Sequence, residues 1–198
     1  MRKVWIATAA VALAASCAGT AVAQSNENLI KQALSPLPAE LRGQATVITY
    51  SAKGLPQTLR WGQNNIYCVA PEAGAKEFAA SCFGPVIKAQ RDFQAREKAA
   101  GKDAKTIAAD VAAARKARKL PSPNMGTTIY IRRGKTEADA SNLWVVLMPN
   151  AKAENLGLPT ERGNGTPWMM RSGTPQAHIM IPQVADMDKA GSSGSKPM

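Results

Sequence analysis

The chain has 198 residues, with 25 basic against 14 acidic side chains, one histidine, three cysteines and 45% hydrophobic residues. That length suits one domain with a sizeable core, and a charged fraction of 20% is too low for a disordered chain. One imidazole excludes any site needing two from the same chain, three thiols exclude a four-cysteine zinc site, and no phosphate loop, HExxH or GxSxG motif occurs.

Met1-Arg2-Lys3 supplies a positive start, residues 4–15 an uncharged Ala/Val/Leu run, and Ala21-Val22-Ala23 small residues ahead of Gln24. This three-part pattern predicts a secretory signal peptide over residues 1–23, too short to serve as a membrane span. A second reading takes Ala14-Ala15-Ser16-Cys17 as a lipoprotein cleavage site with Cys17 acylated. Either way the protein is expected in the periplasm or cell envelope. The chain from Gln24 onward keeps a net charge of +9 and two cysteines, Cys68 and Cys82. In an oxidising compartment they are expected to pair, closing a loop of about 15 residues at roughly 3 kcal/mol.

In chain order, Ser25–Leu34 predicts a helix with Leu29, Ile30, Ala33 and Leu34 on one face, stopped by Ser35-Pro36-Leu37-Pro38. Residues 45–50 predict a strand. Residues 58–61 and 66–69 predict two more, joined as a hairpin through Gly62-Gln63-Asn64-Asn65 and making an antiparallel meander. Residues 75–100 read as helical, broken at Gly84-Pro85, and residues 103–119 as a second, Ala-rich helix stopped by Pro121-Ser122-Pro123. Strands follow at 127–132 and 142–148, a helical turn at 153–157, and a last hairpin from 168–171 and 177–181. The expected fold is therefore α+β: one domain over residues 24–185, an antiparallel sheet of six or seven strands with a helical insertion at 76–120, and a disordered polar tail at 186–198. Aromatic residues spread about one per element point to a single shared core.

Between Lys88 and Lys119 stand ten basic and four acidic residues, so most of the excess charge lies on the helical pair. Such a surface suits an anionic envelope component. Nucleic acid is disfavoured, because Phe93 is the segment's one aromatic and no stacking platform interleaves the charges.

His178 lies in the strand Ala177–Ile181, and alternation puts it on one face with Met180. Met169 or Met170 of the neighbouring strand should lie across from it, a soft ligand set suited to cuprous ion. A small hydrolase centred on His178 is the other chemical reading, with Ser141, Ser172 or Thr174 as candidate nucleophiles, although no elbow motif marks them. The carboxylates Glu72, Glu77 and Asp92 form no acid–base pair by spacing. Arg60 and Asn64 beside the second hairpin, and Arg171 and Thr174 beside the last, are candidate binding residues. No cofactor is implied.

Two stretches, Thr58-Leu59-Arg60-Trp61-Gly62-Gln63-Asn64 running on to Cys68 and Gly173-Thr174-Pro175-Gln176-Ala177-His178-Ile179-Met180-Ile181-Pro182, stand with Phe78–Phe83 and Trp144-Val145-Val146. Together they resemble a family of exported bacterial proteins of unknown function, over residues 29–182. The resemblance implies no activity. It marks Arg60, Asn64, Cys68, Cys82, Thr174, Pro175 and His178 as motif positions. Ala177 departs from an aromatic–acidic pair before the histidine, which argues against an acid–imidazole dyad there. The reading that results is an exported, non-enzymatic binding or structural module.

Overall fold

The β-branched run Thr46–Tyr50 forms strand β1, and a turn at Gly54 returns the chain antiparallel along it as β2, Pro56–Arg60. The computed structural model describes residues 18–183 apart from Ala73 and Asn164, with side chains from Asn26 onward. The start of the expected leader, Cys17 and the expected tail at 186–198 lie outside the described residues.

After β2 the chain does not make the expected hairpin. Residues 61–66 cross over the start of β1, and β3, Tyr67–Val69, pairs parallel with that strand's other edge. Gly62 is the reason. Its N–H donates to Thr46 Oγ1 at 3.0 Å, and a Cβ there would stand 2.2 Å from the Gln44 carbonyl oxygen. The Gln63 and Asn64 N–H groups donate to that same carbonyl at 2.7 and 3.1 Å. A glycine-containing loop that reads as a turn is thus a close backbone crossing.

The expected helix at 75–100 is corrected in its first part, since Phe78–Phe83 forms strand β4. Pairing with β3 on one side and β5 on the other outweighs the helical preference of Ala79 and Ala80. Helix α3, Pro85–Ala99, begins with proline in its first turn, and α4 spans Ala104–Lys116 with Asp103 as its cap, accepting from the Thr106 N–H at 2.8 Å. Strands β5 (Thr128–Gly134) and β6 (Ser141–Leu147), a 3-10 turn at Glu154–Leu156, and strands β7 (Trp168–Met170) and β8 (His178–Pro182) complete the chain. The sheet has eight strands rather than six or seven, in the order β2-β1-β3-β4-β5-β6-β8-β7, antiparallel except for β1 with β3. The class is α+β.

Register sorts the side chains onto two faces. Val47, Cys68, Cys82, Tyr130, Trp144 and Ile181 stand in one row. Helix α1, Ala18–Leu34, and the segment after it cover the β1–β4 part of that face, burying Ala33, Leu34 and Leu37 against Val47 and the two cysteines. α1 begins earlier than the periodicity of 25–34 predicts and is continuous through residues 23 and 24. Cys68 and Cys82 oppose each other directly and are disulfide-bonded, joining strand to strand rather than strand to helix.

Thr46, Tyr67, Phe83, Ile129, Val145, Met180 and Trp168 form a row on the other face. Here α3 packs, with Ile87 buried, Lys88 Nζ 5.3 Å from the Tyr67 ring centre and Arg91 Cζ 5.8 Å from that of Phe83. The expected aromatic core is corrected too: Phe83 and Trp168 are buried, whereas Trp61 is 81% exposed. No helix among the described residues is long and apolar enough to cross a membrane.

Candidate functional site

On α3, Ile87, Gln90, Arg91 and Gln94 recur at helical spacing and so share the face turned to the sheet. On α4, Val111 and Ala114 are buried, and Arg115 stands beside them. Between these helices and the sheet opens a cleft of about 480 Å³. Ile129 of β5 and Leu147 of β6 contribute to one wall, and Arg171, Pro175, Gln176, Ala177 and His178 contribute from the last hairpin.

Three guanidiniums and an imidazole therefore line one recess, and no carboxylate lines it. Arg115 donates from Nη2 to Gln90 Oε1 across the helical pair, while its Nε is enclosed without a partner. Burial lowers the pKa of Arg115. Burial likewise lowers that of Arg91, with Tyr50 opposing and Arg133 adding to the shift; its side chain is crowded by protein although one side stays open to water. The ion pairs among the described residues all use lysine: Lys88 with Asp92, Lys98 with Glu72, Lys102 with Glu97 and Asp110, and Lys152 with Glu154. The arginines of the cleft have no acidic partner among them.

The turn that carries Arg171 and His178 is held firmly. Thr174 Oγ1 donates to the Arg171 carbonyl at 2.8 Å, Gly173 N–H to the Ala151 carbonyl at 2.8 Å and Asn150 N–H to that of Thr174 at 2.8 Å. Arg171 itself sits in left-handed backbone at φ 56°, a conformation an arginine adopts only where its surroundings impose it. His178 Nδ1 lies 2.8 Å from the Gln176 carbonyl. A carbonyl can only accept, so Nδ1 is the donor in this contact and Nε2 is turned to other partners.

The sequence candidates thus separate into two groups. Arg171 and His178 meet in the cleft. Thr174 shapes the turn beneath them, and Ser172 accepts the Ala153 N–H at 2.8 Å, so both hydroxyls bond to backbone. Ser141 stands at the opposite end of β6 from Leu147, the residue that pairs with His178. Arg60 and Asn64 belong to the other half of the sheet. Arg60 Nη2 donates to the Arg42 and Ala45 carbonyls. Asn64 Nδ2 donates to the Leu41 carbonyl at 3.0 Å, and its Oδ1 accepts the Ile66 N–H. Both tie the crossover to the one-turn helix α2, Ala39–Arg42.

For the soft-metal set, Met170 pairs with His178 and Met180 shares their face, whereas buried Met169 pairs with Ile179 on the opposite one. Sequence reasoning missed Arg91 and Arg115 as site residues by treating the whole basic stretch as an outer surface. The signal was present in the polar Gln90, Arg91 and Gln94 on the same helical face as buried Ile87.

No protein-family model matches the chain, and neither a curated protein nor a solved structure matches it.

Proposed function

We propose that this is an exported envelope protein, non-enzymatic, that holds an anionic partner on its basic helical pair. The observation that carries the reading is the gathering of Arg91, Arg115, Arg171 and His178 around one cleft with no carboxylate among its lining. Planar guanidiniums match carboxylate and phosphate oxygens two at a time, so an oxyanion supplies the charge that the protein leaves unanswered. Lys116 at the end of α4, with Arg118 and Lys119 just past it, extends the cationic surface, all three exposed. The expected signal peptide and the disulfide support export, since such bridges persist in oxidising compartments.

Retention of the purified oxidised protein on phosphatidylglycerol vesicles, against phosphatidylcholine vesicles and across a salt series, tests the reading. Binding should be confined to the anionic vesicles, weaken as salt rises, and fall away in the Lys116→Glu/Lys119→Glu variant. Equal retention on both vesicles, or indifference to salt, overturns it.

The pairing of Met170 with His178 favours a second reading, cuprous-ion binding. Metal-ligating histidines commonly give their other ring N–H to a carbonyl, as His178 does to Gln176, which leaves Nε2 for a soft ion beside Met170 and Met180. Titration with silver ion checks it: an affinity unchanged in His178→Ala ends the idea.

A further inference from the structure

The cleft has an apolar side as well as a charged one. Ile87 and Ala177 are buried in its lining, at 4% and 1% exposure, and the half-buried Ile129 and Leu147 lie beside them. Arg91 and Arg171 are exposed, and Arg115 is half-buried. Ile87 and Ala177 are therefore enclosed, while Arg91 and Arg171 reach water. A polyanion or a bilayer surface would be met by exposed cations alone and would leave such a recess unused. The volume, about 480 Å³, falls within the usual span of small-molecule sites, about 300–1,000 Å³.

We propose that the cleft takes one small single-chain amphiphile. Its carboxylate or phosphate head sits at Arg115 and Arg91, and its hydrocarbon body runs along Ile129 and Leu147. This rests on the reading of an anionic partner and adds the partner's class: a molecule held singly, head and tail together, rather than a charged surface. The head is paired because the cleft arginines have no carboxylate of their own among the described residues. The tail is buried because removing apolar surface from water is favourable in proportion to the area covered.

Calorimetric titration with four probes, used below their aggregation limits, tests this: decanoate, decyl phosphate, decanol and acetate. Decanoate and decyl phosphate should bind, and decanol and acetate should bind at least about tenfold more weakly, one lacking the charge and the other the tail. Whichever charged probe binds more tightly identifies the head group. Arg115→Gln should weaken decanoate about tenfold by removing a charge-assisted contact. Ala112→Phe places a ring in the cleft at an exposed helical position, so its thermal unfolding should match the parent. It should abolish decanoate binding while vesicle retention persists. Lys116→Glu/Lys119→Glu should do the reverse. Decanol binding as tightly as decanoate, or full decanoate affinity in Ala112→Phe, overturns the proposal. Decanoate binding by a parent that anionic vesicles do not retain would keep the anionic partner in the cleft and overturn only its placement on the outer helical surface.

Discussion

At the scale of single residues, the motif positions do two kinds of work. Arg60 and Asn64 read as binding residues in the sequence because arginine and asparagine in a loop carry that association, yet their donors end on backbone carbonyls of the α2 region. What they share is the crossing at Gly62, where main chain meets main chain too closely for any side chain. Gly62→Ala should therefore lower the stability by at least about 2 kcal/mol, read from the urea midpoint, because neither backbone segment can yield without breaking bonds to Gln44. Thr174 is legible as a turn former from its chemistry alone, and it bonds within its own turn. Arg91 and Arg115 were not legible as a pair, because the alignment of two helices over a sheet is a tertiary fact that no local spacing encodes.

Elements were legible where local preference and pairing agree. β1, β5, β6 and the last hairpin carry β-branched or apolar alternation and stand where the sequence puts them. β4 is the contrary case, since Phe-Ala-Ala-Ser-Cys-Phe has no strong local preference and becomes a strand through its two neighbours. The contact between β1 and α3 is carried in part by Tyr50, whose hydroxyl donates to Asp92 Oδ1 at 2.9 Å, while Lys88 pairs with the same carboxylate at 2.6 Å. Burial first, and then that hydrogen bond and the Asp92 charge, raise the phenol's pKa well above its usual value, against smaller opposing effects of Arg91 and Arg96. The folded state holds this proton more tightly than the unfolded chain does. The contribution is thus complete below about pH 10 and fades as the pH climbs through the raised value. Ultraviolet titration should show one of the three tyrosines resisting ionisation until the protein unfolds, and Tyr50→Phe should remove that resistant fraction. Ionisation of all three together in the folded protein would count against the tie.

For the molecule as a whole, β3 is the seam. Three residues long, it alone connects β1 and β2 to the remaining five strands of the sheet, and the Cys68–Cys82 bond ties it to β4. Loss of the bond in Cys68→Ala/Cys82→Ala should cost about 3 kcal/mol, measured by denaturant unfolding against the oxidised parent. An unchanged midpoint would mean that packing of α1 alone holds the seam. The open sheet also has two rims. At β7 the Met169 N–H is already taken by the Pro159 carbonyl at 2.8 Å. At β2 the strand opens with Pro56, which has no N–H to offer. At high concentration each chain meets many copies of itself, and neither rim presents a full ladder for another copy to extend. Pro56→Val would restore one rung, so light scattering at high concentration should rise for that variant while the monomer's unfolding midpoint stays put.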